Sequence, residues 1–572
     1  MNKKLGSSRI GKRLAVALGV ALAASTVAVP SSGAAKISAA AKNDLTIMIN
    51  EPDAGWCNQD SPGVDQVAAK NAVLETLTIQ NDKGKIVPYL AEAYSSSPDF
   101  KQWTVKLRKG IKFHDGEELT AKTVQMNMLA NLGLMPAFMG GKGPKPSLPA
   151  IAWLDMAGIN GALNPRTRVP ADAAGVIAGK WANFLKIIDD YTVQFNLSSP
   201  RPNFPYNLWS VGRSTVMSTN SLLSPSCGTT VAAGTGPFMV KSKGTDPNTT
   251  VLVANPNYWR KAKDGSSLPK ASTVTFKTVG DAAQRGNAVR TGQADIATFG
   301  ATSGTQINEL KKLKNKVTVY QGPREISWNF HLNSTQLPFA KKSARLAFAS
   351  AIDTKAFTTL MTKGNGDASY AIAPPMHPFY VKGVSPKYDV NKAKEYAAQY
   401  KAETGQDLKV VLPVNTTTES TKANQAICNM LGAAGIACSL MPPVTSTQLI
   451  LRGFALQQQA SWFNVNSGYY ADFGLLFVTN TNLELSGFGF TDPTLTKCFE
   501  DARAVATKAA FAPCATKVAQ EAYQVPTYNE GGTLVWNNKV SGIGATPLPG
   551  GAFRPIISGS GFDIASATKS KG

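Results

Sequence analysis

Residues 90–128, LAEAYSSSPDFKQWTVKLRKGIKFHDGEELTAKTVQMNM, constrain the fold more than any other stretch of the chain. Trp103, Val105 and Leu107 alternate with Thr104, Lys106 and Arg108, the two-residue period of a strand with one buried face. Lys109-Gly110 ends that strand, and Ile111-Lys112-Phe113 starts a second extended segment. Asp115-Gly116 supplies the backbone freedom of a tight turn. Thr120 is placed to cap a helix whose apolar positions include Val124 and Met128. Strand, turn, strand and capped helix form a supersecondary unit that carries no chemistry of its own.

The residues on either side of that unit narrow the class of protein. At 572 residues, with 43% hydrophobic and 17% charged residues, the chain is a globular protein with a sizeable core, not a disordered or fibrous one. Lys3, Lys4, Arg9, Lys12 and Arg13 precede an apolar run from Leu14 to Val29 and then small residues through Ala41. That order is read as a secretory signal over residues 1–41, cut between about Ala35 and Ala41. The first cysteine is Cys57, so a lipid anchor at the cut is not expected. Without residues 1–41, which hold six basic residues and no acidic one, the formal charge falls from +22 to +16. The lysines are dispersed, and the densest group, Lys311-Lys312-Leu313-Lys314-Asn315-Lys316, reads as a solvated helix end; nucleic-acid binding is not expected. Six cysteines in an exported chain allow fifteen pairings. Proximity in sequence favours Cys428 with Cys438 and Cys498 with Cys514, which leaves Cys57 with Cys227.

KIVPYLAEAY at 85–94 followed by WTVKLRKGIKFHDGEELTAKTV at 103–124 resembles the extracytoplasmic solute-binding proteins of ABC importers, in the large family that carries peptides, nickel and other solutes. That family often has an acidic pair after L-T-A; Lys122-Thr123 stand here, so a reciprocal carboxylate cap is missing. Further matches follow in order: a D-x-x-T-V-x-F-x-L strand at 189–197, AGTGPF at 233–238, ANPNYW at 254–259, and ISWNFHLN with the helix through Arg345 and Ile352-Asp353. The glycines at 234 and 236 are read as a close backbone contact, since no phosphate-loop pattern surrounds them. A helix is expected over 64–78, and a Gly/Pro-rich insertion over 133–180.

The resemblance implies an α/β, two-lobed, periplasmic-binding-protein-like (class II) fold with an extra small domain inserted in lobe one. The expected parts are lobe one at 42–85, 213–320 and 530–572, the inserted domain at 86–212, and lobe two at 321–529. It also implies a soluble protein, exported to the periplasm or the extracellular cell envelope, that works as a monomer with permease subunits and a small-molecule or peptide solute. The loop carrying Trp56 faces the cleft in the family; the residue also fits a core aromatic beneath a Cys57 bridge. Asn207 and Trp209 lie in a Pro-rich segment that often reaches the cleft in relatives.

A site for binding is easier to read than one for catalysis. His114, His331 and His377 show no H-x-x-x-H or H-E-x-x-H spacing, so neither a metal nor another cofactor is expected. No nucleophile elbow appears in a matching context, and no enzyme is expected. SWFNVNSGYYADFGLLF at 461–477 combines Trp462, Tyr469 and Tyr470 with Asn464, Asn466 and Asp472, a set of rings and polar groups suited to a solute. Peptide-binding relatives read roughly W-x-x-D-x-x-D-P here, and the first aspartate pairs with the peptide amino group. Asparagine stands near that position in this chain, and a neutral amide gives no charge-assisted bond to an ammonium. An uncharged, polar or anionic solute is therefore expected ahead of a simple peptide. The reading is a solute-binding component of an importer; the alternatives are a secreted hydrolase or a cell-envelope binding module without transport.

Overall fold

A computed structural model of the chain describes residues 43–51, 56, 68–81, 85–131, 185–197, 200–209, 212–224, 232–243, 248–375, 377, 380–454, 456–466, 492–546 and 562–570. The expected signal segment, the 133–180 insertion, Cys57, Cys227, Tyr469, Tyr470 and Asp472 lie outside the described residues.

The motif unit of residues 90–128 folds much as its pattern requires. Gln102–Leu107 is a strand with Trp103, Val105 and Leu107 buried and the residues between them turned outward. Among the described residues it sits inside an antiparallel four-stranded sheet, ordered Ala91–Ser96, Gln102–Leu107, Thr192–Asn196, Leu185–Asp189. Gly110 and Gly116 both take the left-handed backbone their turns need, at φ +74° and +92°. The second extended segment is shorter than expected: only a single bridge joins Lys112 to Glu118 across the turn. Ile111 and Phe113 are nonetheless buried. Helix Ala121–Asn131 follows, with the amide of Thr123 reaching Thr120 Oγ1 at 3.5 Å, the outer limit of a cap.

The helix expected over 64–78 forms only at Lys70–Val73 within the described residues. Leu74 turns extended, and Glu75–Thr76 and Thr78–Gln80 pair as short strands with Thr215–Val216 and Ile86–Pro88. Every residue from Leu74 to Gln80 is buried, so there is no polar face for an amphipathic helix to present. Tertiary pairing overrides the local pattern.

Two larger sheets carry the lobes. Among the described residues the first has seven strands, in the order Phe238–Lys243, Thr249–Ala254, Thr273–Thr278, Asp44–Ile49, Ile296–Phe299, Thr533–Asn537, Val317–Gln321. Its centre is parallel: Asp44–Ile49 pairs on both sides with strands running its own way, and the flanking pairs are antiparallel. Helices Ala282–Thr291 and Gly304–Lys311 cover one face over a core of Val289, Phe299, Ile307 and Leu310. The second sheet is antiparallel, ordered Asp367–Ala368, Gln524–Glu530, Ile326–Leu332, Ala460–Asn466. It packs on helices Lys342–Ala351 and Thr354–Thr362 through Phe330, Phe348 and Phe357. Beside it Lys409–Leu412 and Ala437–Leu440 pair in parallel, with helix Thr418–Ala433 as the crossover. Disulfides join Cys428 to Cys438 and Cys498 to Cys514, the local pairs expected. Among the described residues no helix is long and apolar enough to cross a membrane.

The recurring motifs meet at one buried carboxylate. Glu75 accepts from the hydroxyls of Tyr89 (2.6 Å), Tyr258 (2.7 Å) and Thr235 (2.8 Å) and from the indole of Trp259 (2.7 Å). Those donors come from KIVPYL, ANPNYW and AGTGPF, so one group joins three motifs. The glycines of AGTGPF have a steric cause: a Cβ at Gly234 would stand 1.9 Å from the carbonyl oxygen of Val73. His114 takes part in the same junction, accepting from Gly234 N at Nδ1 (3.2 Å) and reaching the Gly236 carbonyl through Nε2 (3.0 Å). It is a loop fastener, and the bond pattern requires a neutral ring with the proton on Nε2.

Candidate ligand-binding cleft

The chain passes from the seven-stranded sheet to the four-stranded sheet between Gln321 and Ile326, and returns between Glu530 and Thr533. A cavity of about 670 Å³ opens where these two passages run together. One wall is built from the carboxyl ends of the parallel strands, Ile49 to Glu51 and Thr298 to Gly300, the edge where open α/β sheets place ligands. The facing wall comes from the other sheet and from residues 413–420, which lead into helix Thr418–Ala433.

Strand register brings two tryptophans onto that facing wall. Phe330 lies opposite Trp462, and Trp328 opposite Asn464, so Trp328 and Trp462 are diagonal neighbours on one face. Their ring centroids are 4.5 Å apart. Phe330, Phe357 and Tyr528 back the Trp462 ring at 5.9–6.2 Å, and its indole donates to Thr527 Oγ1 at 3.3 Å. Trp462 is thereby held in one orientation with part of its surface on the cavity.

Glu530 ends the returning strand and sits at the junction of the walls. Its Oε1 accepts from the Trp328 indole and its Oε2 from the amide of Ala301, so the carboxylate joins one sheet to the segment following Ile296–Phe299 in the other. It is 5% exposed, and burial pushes its carboxyl above the usual range while both hydrogen bonds pull it back. Arg285, also on the wall, turns its guanidinium inward: it donates to the carbonyls of Thr298, Val279 and Gly280 and lies 5.2 Å from the Phe299 ring. Burial draws it down to about 10. The helix ends at the wall are closed by their own residues, Asp281 accepting from Gln284 N and Thr417 from Ser420 N. Asn424, one turn further on, donates from Nδ2 to the Ser420 carbonyl, which orients its amide.

Of the residues read from sequence as ligand contacts, Trp462 lies on the cavity wall. Asn464 is half-buried two residues along the same strand and is not among the lining residues; Asn466 closes that strand opposite Ile326, and its side chain lies outside what is described. Trp56 is 2% exposed within the large core, so of its two sequence readings the structure places it with the core aromatics. Trp209 is likewise part of that core and Asn207 is a buried polar residue whose carbonyl accepts from Ser214; neither lines the cavity. His331 and His377 are buried, and among the described residues no group of three potential ligands is arranged for a metal ion. Trp328, Glu530 and Asn424 are wall residues that sequence reading missed. The acid beside Gly531-Gly532, flanked by two strand-like runs, is the signal that could have found Glu530.

Comparison with known proteins agrees with this geometry. The family model for bacterial extracellular solute-binding proteins, family 5, matches residues 85–476. A probable D,D-dipeptide-binding periplasmic protein of Escherichia coli, DdpA, is 28% identical over 286 residues, 48% of this chain and 46% of its own length. The chain thus spans about half the length of that curated relative. Two solved structures share the two-lobed fold at a TM-score of 0.74: the binding protein AgaA of A. tumefaciens with agropinic acid (20% identity, 92% of this chain and 99% of that one) and DppA of Helicobacter pylori with the peptide STSA (19% identity, 92% and 98%). The chain belongs to the bacterial extracellular solute-binding proteins, family 5.

Proposed function

We propose that this protein is the solute-binding component of an ABC import system, capturing a peptide or another small polar solute between its lobes and passing it to a membrane permease. The observation that carries the reading is the cavity itself, walled by both sheets at the point where two chain passages connect them. A solute there touches both walls only when they are close, so it favours the closed arrangement by that differential contact. A micromolar carrier needs about 8 kcal/mol. Two tryptophan faces, each contributing about 1.5–3 kcal/mol on burial, and a few hydrogen bonds supply it.

In this reading lobe one comprises residues 42–85, 213–320 and 530–572, the inserted domain 86–212 and lobe two 321–529. The protein works outside the cytoplasmic membrane as a monomer and releases its solute unaltered. Peptides stand in the ligand class because relatives named for dipeptide and oligopeptide binding share the family. Native mass spectrometry of the purified protein, with small-angle scattering before and after the solute is removed, tests the proposal. A co-purified compound, unchanged in mass on release, and a more open envelope without it are expected. A chemically altered compound, or an envelope indifferent to a bound solute, overturns it.

A further inference from the structure

We infer that the solute carries a protonated amine and that Glu530 receives it, with Asn424 as a second acceptor and the Trp328 and Trp462 rings alongside. The inference rests on the solute-capture reading and names the chemistry of the captured group. The chain as a whole is strongly basic, at +22, yet among the described residues the cavity wall carries the carboxylates Glu51, Asp281, Glu419 and Glu530 against a single cation, Arg285. That cation is 2% exposed and commits Nε and Nη1 to three backbone carbonyls, which leaves Nη2 alone for a solute.

Glu530 is a buried carboxylate that no described lysine or arginine pairs with; Arg324, which acts on it from a distance, is bonded to Asp367 at 3.1 Å. Each of its oxygens accepts one protein N–H, and an ionised carboxylate accepts about four. A charge buried without a counter-charge is costly, and a bound ammonium supplies the missing one. Asn424 gives an independent sign. It is 2% exposed on the same wall, its Nδ2 is committed to Ser420, and its Oδ1 has no hydrogen-bond partner among the described residues. An orphaned acceptor calls for an N–H. Two tryptophan rings 4.5 Å apart, one of them bonded to Glu530, present the electron-rich faces that attract a cation. The asparagines at 464 and 466 thus do not settle the charge of the ligand, because carboxylates reach the cavity from other elements.

Paired probes on the full chain test this by calorimetry and by tryptophan fluorescence: the dipeptide Ala-Phe against N-acetyl-Ala-Phe, glucosamine against N-acetylglucosamine, and putrescine against succinate. The amine member of a pair is expected to bind about tenfold or more tightly than its partner, the gain of a charge-assisted bond. Glu530→Gln, checked for folding by circular dichroism, should reduce that preference to within about threefold, and Asn424→Leu should weaken the amine members alone. Acetylated or anionic probes binding as tightly as the amines overturn the inference and leave solute capture standing. If no probe binds, the composition of the co-purified solute decides: an amine-bearing compound supports the assignment, an amine-free one removes it. Absence of both probe binding and any co-purified solute removes the inference together with the capture reading. Should Glu530→Gln fail to fold, the wild-type pairs alone carry the test.

Discussion

The amide of Gly322 donates to the carbonyl of Gly532 at 2.9 Å, and this bond ties together the two passages by which the chain moves between its lobes. The passages touch backbone to backbone. A Cβ at Gly531 would stand 2.1 Å from the carbonyl oxygen of Gly322 and 2.4 Å from that of Pro323. Neither atom can swing aside as a side chain would, so Gly531→Ala must spread the passages. We expect it to lower stability by about 1–3 kcal/mol, the usual cost of overpacking. It should also change the separation of the lobes in small-angle scattering. Gly432→Ala, in a helix where a Cβ meets nothing within 4 Å, is the control and should be neutral or slightly stabilising. Equal urea midpoints for the two variants would show that the passages tolerate spreading.

Asn365 fastens the lobes beside these passages. Its Nδ2 donates to the carbonyls of Gly304 and Thr362 and to Asn308 Oδ1, and its Oδ1 accepts from Lys311 (2.9 Å) and Gln321 (3.1 Å). Gly304, Asn308, Lys311 and Gln321 belong to the segments of the seven-stranded sheet, whereas Asn365 follows helix Thr354–Thr362 of the other lobe. The residue is 1% exposed, so truncation strands buried partners. Asn365→Leu is expected to cost about 2–3 kcal/mol and to speed amide exchange in helix Gly304–Lys311 more than in helix Val390–Thr404, which lies away from the contact. Uniform exchange in both helices would mean the contact does not hold the lobes.

Much of the framework was legible because it is written locally. The Trp103, Val105, Leu107 alternation, the Asp115-Gly116 turn and the short-range cysteine pairs each need only a few neighbouring residues to be read. The 64–78 segment was not legible as drawn, since a run such as LETLTIQ is apolar and β-branched enough for either state and its strand partners lie as far away as Thr215. The cleft is harder still. Trp328 and Glu530 are 202 residues apart and meet only because Ile326–Leu332 pairs with Gln524–Glu530. Trp462 stood out as a tryptophan in a polar strand, but nothing near it in sequence names the carboxylate that shares its cavity.

Glu75 tests whether the recurring motifs matter through one shared group. Burial raises its carboxyl and four donors pull it back, two hydroxyls on Oε1 and a hydroxyl and an indole on Oε2. Glu75→Leu leaves all four donors without an acceptor, and the indole of Trp259 cannot rotate to find another. We expect a loss of about 3–5 kcal/mol. Glu75→Gln keeps an oxygen for Trp259 and Thr235 and offers an NH₂ to the tyrosine hydroxyls, which can turn and accept; about 1–2 kcal/mol should be lost. Urea denaturation followed by tryptophan fluorescence ranks the variants, and a leucine variant as stable as the parent would show that the network adds nothing to the fold.

Acid should destabilise this protein through two histidines. Burial holds His331 and His377 down at about 3, far below the 6.5 of an exposed imidazole. The unfolded chain therefore binds protons that the folded chain refuses, and their contribution is present above about pH 6.5 and lost as pH falls toward 3. Each histidine removes about 1.4 kcal/mol per pH unit across that window. Glu75 and Glu530 act with the opposite sign: their raised carboxyls hold protons more tightly when folded, so what they contribute is complete below about 4.5 and erodes as pH rises through the raised values. Between pH 6.5 and 5 the two effects oppose each other, the unfolded imidazoles taking up protons that the folded rings refuse while the raised carboxyls favour the folded chain. Urea midpoints compared at pH 7, 6 and 5 isolate one ring: His331→Gln removes its titration, so the midpoint of the variant should fall less with acid than that of the parent. Parent and variant midpoints that change identically between pH 7 and 5 would mean that the His331 ring accepts a proton without leaving the fold.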